Sequence, residues 1–161
     1  LSPKSYLQMA EVLAQELEKK WFKPNTNFLE NLKTLDTNYK TALKNCTQKE
    51  IVTSHDAFRY LARDYGFNEH PIFGISPEEE PSAKDIADTI ELIKTQKLTA
   101  IFSEEFVSPK FANTIKKETW VQVLTLHPLE TLSTQEELEK KDYISIMNEN
   151  LEKLKIGLNC K

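Results

Sequence analysis

From residue 48 onward, short apolar runs alternate with longer segments in which apolar residues recur at helical spacing. The short runs are typical of buried strands, and the longer amphipathic segments are typical of helices that cover a sheet. The runs lie at 51–53, 71–74, 99–103 and 121–126, and the helical segments lie at 57–65, 82–94, 109–119 and 142–158. This alternation predicts an α/β fold, in which a four-stranded, mostly parallel sheet is flanked by helices on both faces.

Two long helices are predicted before the alternating region. Between residues 3 and 21 apolar side chains recur at helical spacing, and Ser2 stands where a capping residue is expected. Residues 26–45 carry a second apolar stripe, with polar residues on the opposite side. We therefore divide the chain into a helical part, residues 1–47, and an α/β lobe, residues 48–161.

Size and composition restrict the class of protein. A chain of 161 residues is long enough for one domain with a hydrophobic core. With 39% hydrophobic residues, 29% charged residues and a net charge of −4, it is typical of a soluble globular protein, and no nucleic-acid partner is expected. No apolar stretch approaches the roughly 20 residues that a membrane-spanning helix needs.

The chain has only two cysteines, Cys46 and Cys160, which lie far apart in the sequence. Their spacing excludes a closed zinc site of the paired-cysteine kind and a thioredoxin-like motif. Two interpretations stay open at this point. The cysteines are either two separate thiols or a disulfide that ties the last residues to the domain in an oxidising compartment.

Polar side chains follow three of the predicted strands. His55 follows the first strand, Glu104 and Glu105 follow the third, and His127 and Glu130 follow the fourth. Because the carboxyl ends of parallel strands meet at one edge of a sheet, we expect these side chains to converge there. Imidazole and carboxylate groups are ligands that zinc accepts. The convergence therefore predicts a metal site, although no pair of residues forms a local zinc motif.

Five segments together resemble one known protein family. They are Thr53-Ser54-His55-Asp56-Ala57-Phe58, residues 74–82, residues 101–105, Leu126-His127-Pro128-Leu129-Glu130 and residues 142–151. The family is that of the zinc- and manganese-specific solute-binding proteins of ABC transporters. The resemblance covers nearly the whole chain and is closest to the zinc-specific branch.

The resemblance implies a function and a domain arrangement. Family members have two lobes joined by a long rigid helix, and they hold the metal in the cleft between the lobes. Here residues 26–45 would be the linking helix and residues 48–161 the carboxy-terminal metal-binding lobe. An amino-terminal lobe would be missing, and with it a metal-binding histidine just before residue 1. The expected function is capture of zinc outside the cytoplasm, in the periplasm or on a membrane anchor, and delivery to an ABC permease without catalysis.

The resemblance also assigns metal ligands. His55 matches a ligand histidine, and a histidine there favours zinc over manganese. Glu130 matches a carboxylate that completes zinc coordination in some members, whereas His127 stands near the place where others have an aspartate. Either residue is therefore a candidate ligand, and the intact Leu-x-Pro-Leu-Glu pattern favours Glu130. Glu104 is a candidate acceptor for the second ring N–H of a zinc-bound His55.

Three other functions have little or no support in the sequence. A phosphate-receiving signalling domain needs an acidic pair after the first strand and a lysine after the last, and this chain has neither. A hydrolase of the nucleophile-elbow kind needs a Gly-x-Ser-x-Gly turn, which does not occur. An adhesin role beside metal binding, as in some relatives, has no sequence signature. With half of the ligands absent, we also expect weak zinc binding or none, and self-association through exposed helix faces.

Overall fold

The computed structural model describes residues 1–72, 81–103 and 110–161. Two long helices come first, α1 (Pro3–Lys19) and α2 (Thr26–Leu43). Each begins at a side-chain cap, because Ser2 Oγ accepts the Ser5 N–H and Asn25 Oδ1 accepts the Phe28 N–H. None of the helices in the described ranges is long and apolar enough to cross a membrane.

Within the ranges that the structure describes, four strands and five further helices follow α2. In chain order they are β1 (Glu50–Thr53), α3 (Arg59–Tyr65), β2 (Asn68–Pro71), α4 (Ala83–Gln96), β3 (Ala100–Ser103), α5 (Lys110–Thr119), β4 (Gln122–Thr125), α6 (Thr134–Leu138) and α7 (Tyr143–Gly157). The α/β fold that the alternation predicts is therefore confirmed.

The second strand begins three residues earlier than the sequence predicts. The expected strand at 71–74 follows an apolar run, but pairing already starts where the Asn68 N–H donates to the Lys49 carbonyl over 2.7 Å. Backbone pairing, and not the apolar run, therefore sets the start of β2. Residues 73 and 74 lie outside the described ranges.

The four strands pair in parallel, two by two. Glu50 of β1 lies opposite Asn68 of β2, and Ala100 of β3 lies opposite Gln122 of β4. β1 also lies beside β3, so the strand order is β2-β1-β3-β4. Within the described residues, hydrogen-bonded strand pairing forms two two-stranded sheets, β1-β2 and β3-β4. The sequence predicts one four-stranded sheet instead. The order reverses between β1 and β3, and in α/β folds the carboxyl ends at such a point form a ligand-binding crevice.

Apolar residues on the two faces of the strands form two cores. Neighbouring residues Ile101 and Phe102 of β3 belong to different cores, as the two-residue period of a strand requires. Phe102 packs with residues of α2, α3 and α7, whereas Ile101 packs with residues of α4 and α5. The strands are thus covered by helices on both faces, as predicted.

The helical part, residues 1–47, is held against the α/β lobe by buried and partly buried hydrogen bonds. Tyr39 Oη donates to the Met147 carbonyl of α7 over 2.7 Å, and the hydroxyls of Ser2 and Ser5 both donate to the Asp64 carboxylate of α3. Only one side of α1 is used in this way. Its outer side leaves Leu13 and other apolar side chains exposed beside an open groove of about 310 Å³ between α1 and α2.

Cys46 and Cys160 form a disulfide with their Sγ atoms 1.99 Å apart. The bond connects the segment after α2 to the end of the chain. Two backbone hydrogen bonds accompany it, from Thr47 N–H to the Asn159 carbonyl and from Gln48 N–H to the Leu158 carbonyl. The last residues are therefore held against the start of the α/β lobe.

Candidate metal centre

His55 lies in the turn that connects β1 to α3, at the carboxyl edge of the strands. Its side chain is buried, with only 2% of its surface exposed. The turn is closed by hydrogen bonds to the His55 carbonyl, which accepts the Ala57 N–H at 3.0 Å and lies 3.1 Å from Thr53 Oγ1. The imidazole is thus attached to a backbone with a defined conformation.

Glu130 reaches the same edge from the loop after β4. Leu129, just before it, has a φ of 62°, which is uncommon for a residue with a side chain. The Leu129 N–H donates to His127 Nδ1 over 2.8 Å and holds this backbone in place. The Glu130 side chain is 60% exposed, so its carboxylate can coordinate a metal ion that arrives from solvent.

The structure brings His55 and Glu130 together. His55 Nε2 lies 3.4 Å from Glu130 Oε1, longer than a usual N–H···O hydrogen bond. Two ligands bound at about 2.0–2.1 Å to a tetrahedral zinc ion are about 3.3 Å apart. The nitrogen and the oxygen therefore have the separation of two corners of a zinc site.

His127 is directed to different partners. Its backbone N–H and carbonyl are both bonded to the Asn150 side chain of α7, and its Nδ1 accepts the Leu129 N–H. Its Nε2 lies 3.4 Å from Oε2 of Glu136 on α6, and hydrogen bonding by the Ser133 N–H lowers the pKa of that carboxyl. The contacts of His127 are thus with residues other than His55 and Glu130, and among the described residues no three His, Cys, Asp or Glu side chains are grouped so that they could hold a metal ion.

The remaining polar candidates are elsewhere or not described. Glu104 and Glu105 lie outside the described ranges. His70 is on the outer strand β2, where its Nε2 lies 2.6 Å from a carboxylate oxygen of Glu50. The third histidine therefore has a structural partner away from the His55–Glu130 pair.

Glu69 contributes to the site without any signal in the sequence. It lies on β2, and its Oε1 accepts the Phe58 N–H at 3.0 Å and lies 2.9 Å from Thr53 Oγ1. Burial raises the pKa of its carboxyl group, and its buried Oε2 has no hydrogen-bond partner in the part of the chain that the structure describes. A single glutamate in a half-buried strand does not reveal that its side chain reaches the next loop.

Comparison with known proteins identifies the family of the chain. The family model described as "Zinc-uptake complex component A periplasmic" (ZnuA) matches residues 1–157. The chain is 39% identical over 163 positions to zinc-binding protein AdcA of Streptococcus pyogenes, an alignment that covers 97% of this chain and 32% of AdcA. It is 36% identical to the high-affinity zinc uptake system protein ZnuA of Bacillus subtilis, over 94% of this chain and 48% of that protein.

A solved structure shares the fold as well. The Zn(II)-bound ZnuA-like domain of Streptococcus pneumoniae AdcA superposes with a TM-score of 0.78 at 34% identity, and the match covers 98% of this chain and 62% of that domain. The chain spans about a third to a half of the length of the curated relatives it matches. Since the family model covers all but the last four of its residues, the chain belongs to the zinc-uptake complex component A family of solute-binding proteins.

Proposed function

We propose that this chain is the metal-binding lobe of a protein that captures zinc outside the cytoplasm and delivers it to an ABC permease. The His55–Glu130 pair carries the proposal, because two zinc-type ligands stand 3.4 Å apart at the crevice where the strand order reverses. The family is one of transport proteins and not of enzymes. We therefore assign the two side chains to binding and release.

Within this proposal His55 and Glu130 are the zinc ligands of the lobe. An imidazole favours zinc over manganese, which is better served by oxygen ligands. His127 is assigned to the support of the Glu130 loop, because its Nδ1 holds the Leu129 N–H and its Nε2 lies near Glu136. Glu104 stays a candidate acceptor for the second ring nitrogen of His55, since it directly follows β3.

Two ligands leave a tetrahedral zinc ion incomplete. The relatives contain sequence that has no counterpart in this chain, 38% of the length in the case of the pneumococcal ZnuA-like domain, from the 62% that is covered. We propose that an amino-terminal lobe of that kind supplies the other ligands and closes the cleft over the ion. Because metal ligands bind in their deprotonated forms, such a site releases protons on zinc binding.

The 161-residue chain alone is expected to bind zinc weakly. Sites with four protein ligands bind zinc with about 10–16 kcal/mol, and half of that, about 5–8 kcal/mol, corresponds to a Kd of about 1–200 µM. Titration of zinc chloride into the chain, followed through the ring nitrogens of His55 by NMR, measures this value. A Kd in the nanomolar range would show that the chain holds a complete site and would contradict the two-lobe proposal.

The exposed face of α1 and α2 is proposed to be the surface that packs against the other lobe. It forms an apolar groove lined by Tyr6, Met9, Leu13, Leu17, Phe28 and Leu29. A contiguous apolar surface that is exposed to solvent is a candidate interaction site. The resemblance, in which the long helix joins two lobes, agrees with this assignment.

In the chain alone, a second copy is expected to cover this groove. Leu13→Lys, which puts a charge into the groove, should keep the chain monomeric in sedimentation velocity runs at about 100 µM, where the parent chain self-associates. Val12→Lys is the matched control, since Val12 is exposed on the same helix but does not line the groove. Equal self-association of the parent and the Leu13→Lys variant would exclude this surface.

The location and the transport partner follow from the same proposal. The family is described as periplasmic, and a related protein of Streptococcus pneumoniae is named a zinc-binding lipoprotein. A disulfide such as that of Cys46 and Cys160 persists in oxidising compartments outside the cytoplasm. We accordingly propose a periplasmic or membrane-anchored extracytoplasmic protein whose partner is an ABC permease.

A further inference from the structure

The turn that carries His55 is contacted by the side chain of Glu69, which lies on the neighbouring strand β2. Glu69 lies opposite Ile51 in the parallel pairing of β1 and β2. Its carboxyl group extends past the end of β1, to the backbone N–H of Phe58 at 3.0 Å and to the hydroxyl of Thr53 at 2.9 Å. These two contacts lie on either side of His55 in the sequence.

The contact with Phe58 provides an acceptor for a backbone N–H group at the start of α3. Phe58 occupies the N-cap position of α3, and it has no side chain that can accept a hydrogen bond from the first turn. The first N–H groups of a helix lack partners within the helix and need an acceptor. Glu69 supplies an acceptor from another strand, and this fixes where α3 starts relative to β1.

The contact with Thr53 extends to His55 itself. Thr53 Oγ1 lies within hydrogen-bonding distance of both Glu69 Oε1 and the His55 carbonyl, at 2.9 Å and 3.1 Å. Thr53 is fully buried, so its hydroxyl has little alternative to these partners. The carboxyl group, the hydroxyl and the His55 carbonyl thus form one chain of contacts.

Keeping Glu69 at this place has a cost. Among the described residues its buried Oε2 has no hydrogen-bond partner, and an unsatisfied buried polar atom is destabilising. An apolar residue on β2 would avoid the cost but could not hold the turn. The contacts on both sides of His55 are what the carboxyl group provides in return.

We propose that Glu69 is a positioning residue for zinc capture, which fixes the 53–58 turn so that the His55 imidazole faces Glu130. This inference rests on the proposed function of the His55–Glu130 pair. It adds a residue that contacts neither the ion nor its ligand side chains directly and that acts through Thr53 and Phe58. A metal ligand on a loosely held backbone binds more weakly, because ordering the turn then opposes binding.

The test compares Glu69→Ala with Glu69→Gln in the full chain. Zinc chloride is titrated into each variant, the Kd is read from the His55 ring nitrogens by NMR, and exchange of the Phe58 amide is measured without zinc. Loss of the contacts in Glu69→Ala is expected to raise the Kd about ten-fold, the size usual for residues that support metal ligands. Glu69→Gln should stay within about two-fold, because burial raises the pKa of Glu69 and a neutral amide oxygen accepts the same bonds.

Two further variants separate positioning from general stability. Glu50→Ala removes a carboxylate of the adjacent strand, which contacts Asn68 and His70 and not the turn, so its zinc Kd should match the parent. Thr53→Val keeps the side-chain volume, removes the bridging hydroxyl and should raise the Kd several-fold even if Glu69→Ala does not fold.

Several results would overturn the inference. They are an unchanged Kd in both Glu69→Ala and Thr53→Val, an equal loss of affinity in Glu50→Ala, or a Glu69→Gln variant as weak as Glu69→Ala. If the parent chain gave no zinc response at His55, the micromolar affinity expected of the lobe would be contradicted instead. In that case the Phe58 amide would still decide whether Glu69 holds the turn, because its exchange must accelerate in Glu69→Ala and not in Glu50→Ala.

Discussion

Replacement of His55 by alanine is expected to remove zinc binding by this chain, with a loss of affinity of more than 100-fold. Of the two assigned ligands the variant keeps only Glu130, whose side chain is exposed, and one oxygen ligand does not hold zinc against water. Isothermal titration calorimetry with zinc chloride measures the loss. Since His55 is buried, circular dichroism before titration must confirm that the variant keeps its secondary structure.

The other histidines are the matched controls for this prediction. His70→Ala removes an imidazole that pairs with Glu50 on the outer strand, and it should leave the zinc affinity unchanged. Glu130→Gln should weaken binding at least ten-fold, because a neutral amide oxygen is a poorer ligand than a carboxylate. His127→Ala should have a smaller effect, since it loosens the loop but removes no ligand. If His127→Ala cost as much as His55→Ala and Glu130→Gln cost nothing, the ligand assignment would be wrong.

The sequence predicts most of the fold because most of the elements, though not β2 or α6, have the period of their type. The single apolar stripes of α2 and α7 and the apolar runs of the strands indicate which faces are buried, and the structure confirms helices on both faces. The convergence of His55 and Glu130 was also predictable. It follows from a topological rule, that loops after parallel strands share one edge, and needs no knowledge of side-chain conformations.

Other features depend on contacts that a sequence does not display. Gly157 is the last residue of α7, although glycine has a lower helix propensity than alanine. The structure explains it, because a Cβ at this position would lie 2.4 Å from the Phe102 ring. Long-range contacts of Glu69 with the 53–58 turn are hidden for the same reason. By contrast, the short helix α6 has a local signal in the sequence, the Ser133–Glu136 capping box.

The direction of the His127 side chain cannot be derived from a sequence pattern. Its place beside Glu130 made it a candidate ligand, since both residues follow the same strand. Which of them faces His55 depends on the direction of each side chain in the loop. That direction is set by the left-handed backbone of Leu129 and by the bonds of His127 to Asn150, and neither has a period or a motif. The preference for Glu130 came from the family resemblance and agrees with the 3.4 Å distance.

Loss of the disulfide is expected to lower the free energy of unfolding by about 4 kcal/mol. The bond joins residues 114 positions apart, and closing a loop of that length in the unfolded chain removes entropy worth about 4–5 kcal/mol. The double variant Cys46→Ser, Cys160→Ser should therefore unfold at a much lower urea concentration than the parent chain. A loss of this size is a large part of the roughly 5–15 kcal/mol that stabilises a typical domain.

The same experiment separates the covalent bond from the contacts around it. A reducing agent should lower the urea midpoint of the parent to that of the double variant and should leave the variant unchanged. The hydrogen bonds from Thr47 to Asn159 and from Gln48 to Leu158 do not depend on the sulfur atoms, so they are present in both proteins. If the double variant lost less than about 1 kcal/mol, these bonds and the packing of α7 would suffice to hold the last residues. Loop closure by the disulfide would then contribute little to the stability of this lobe.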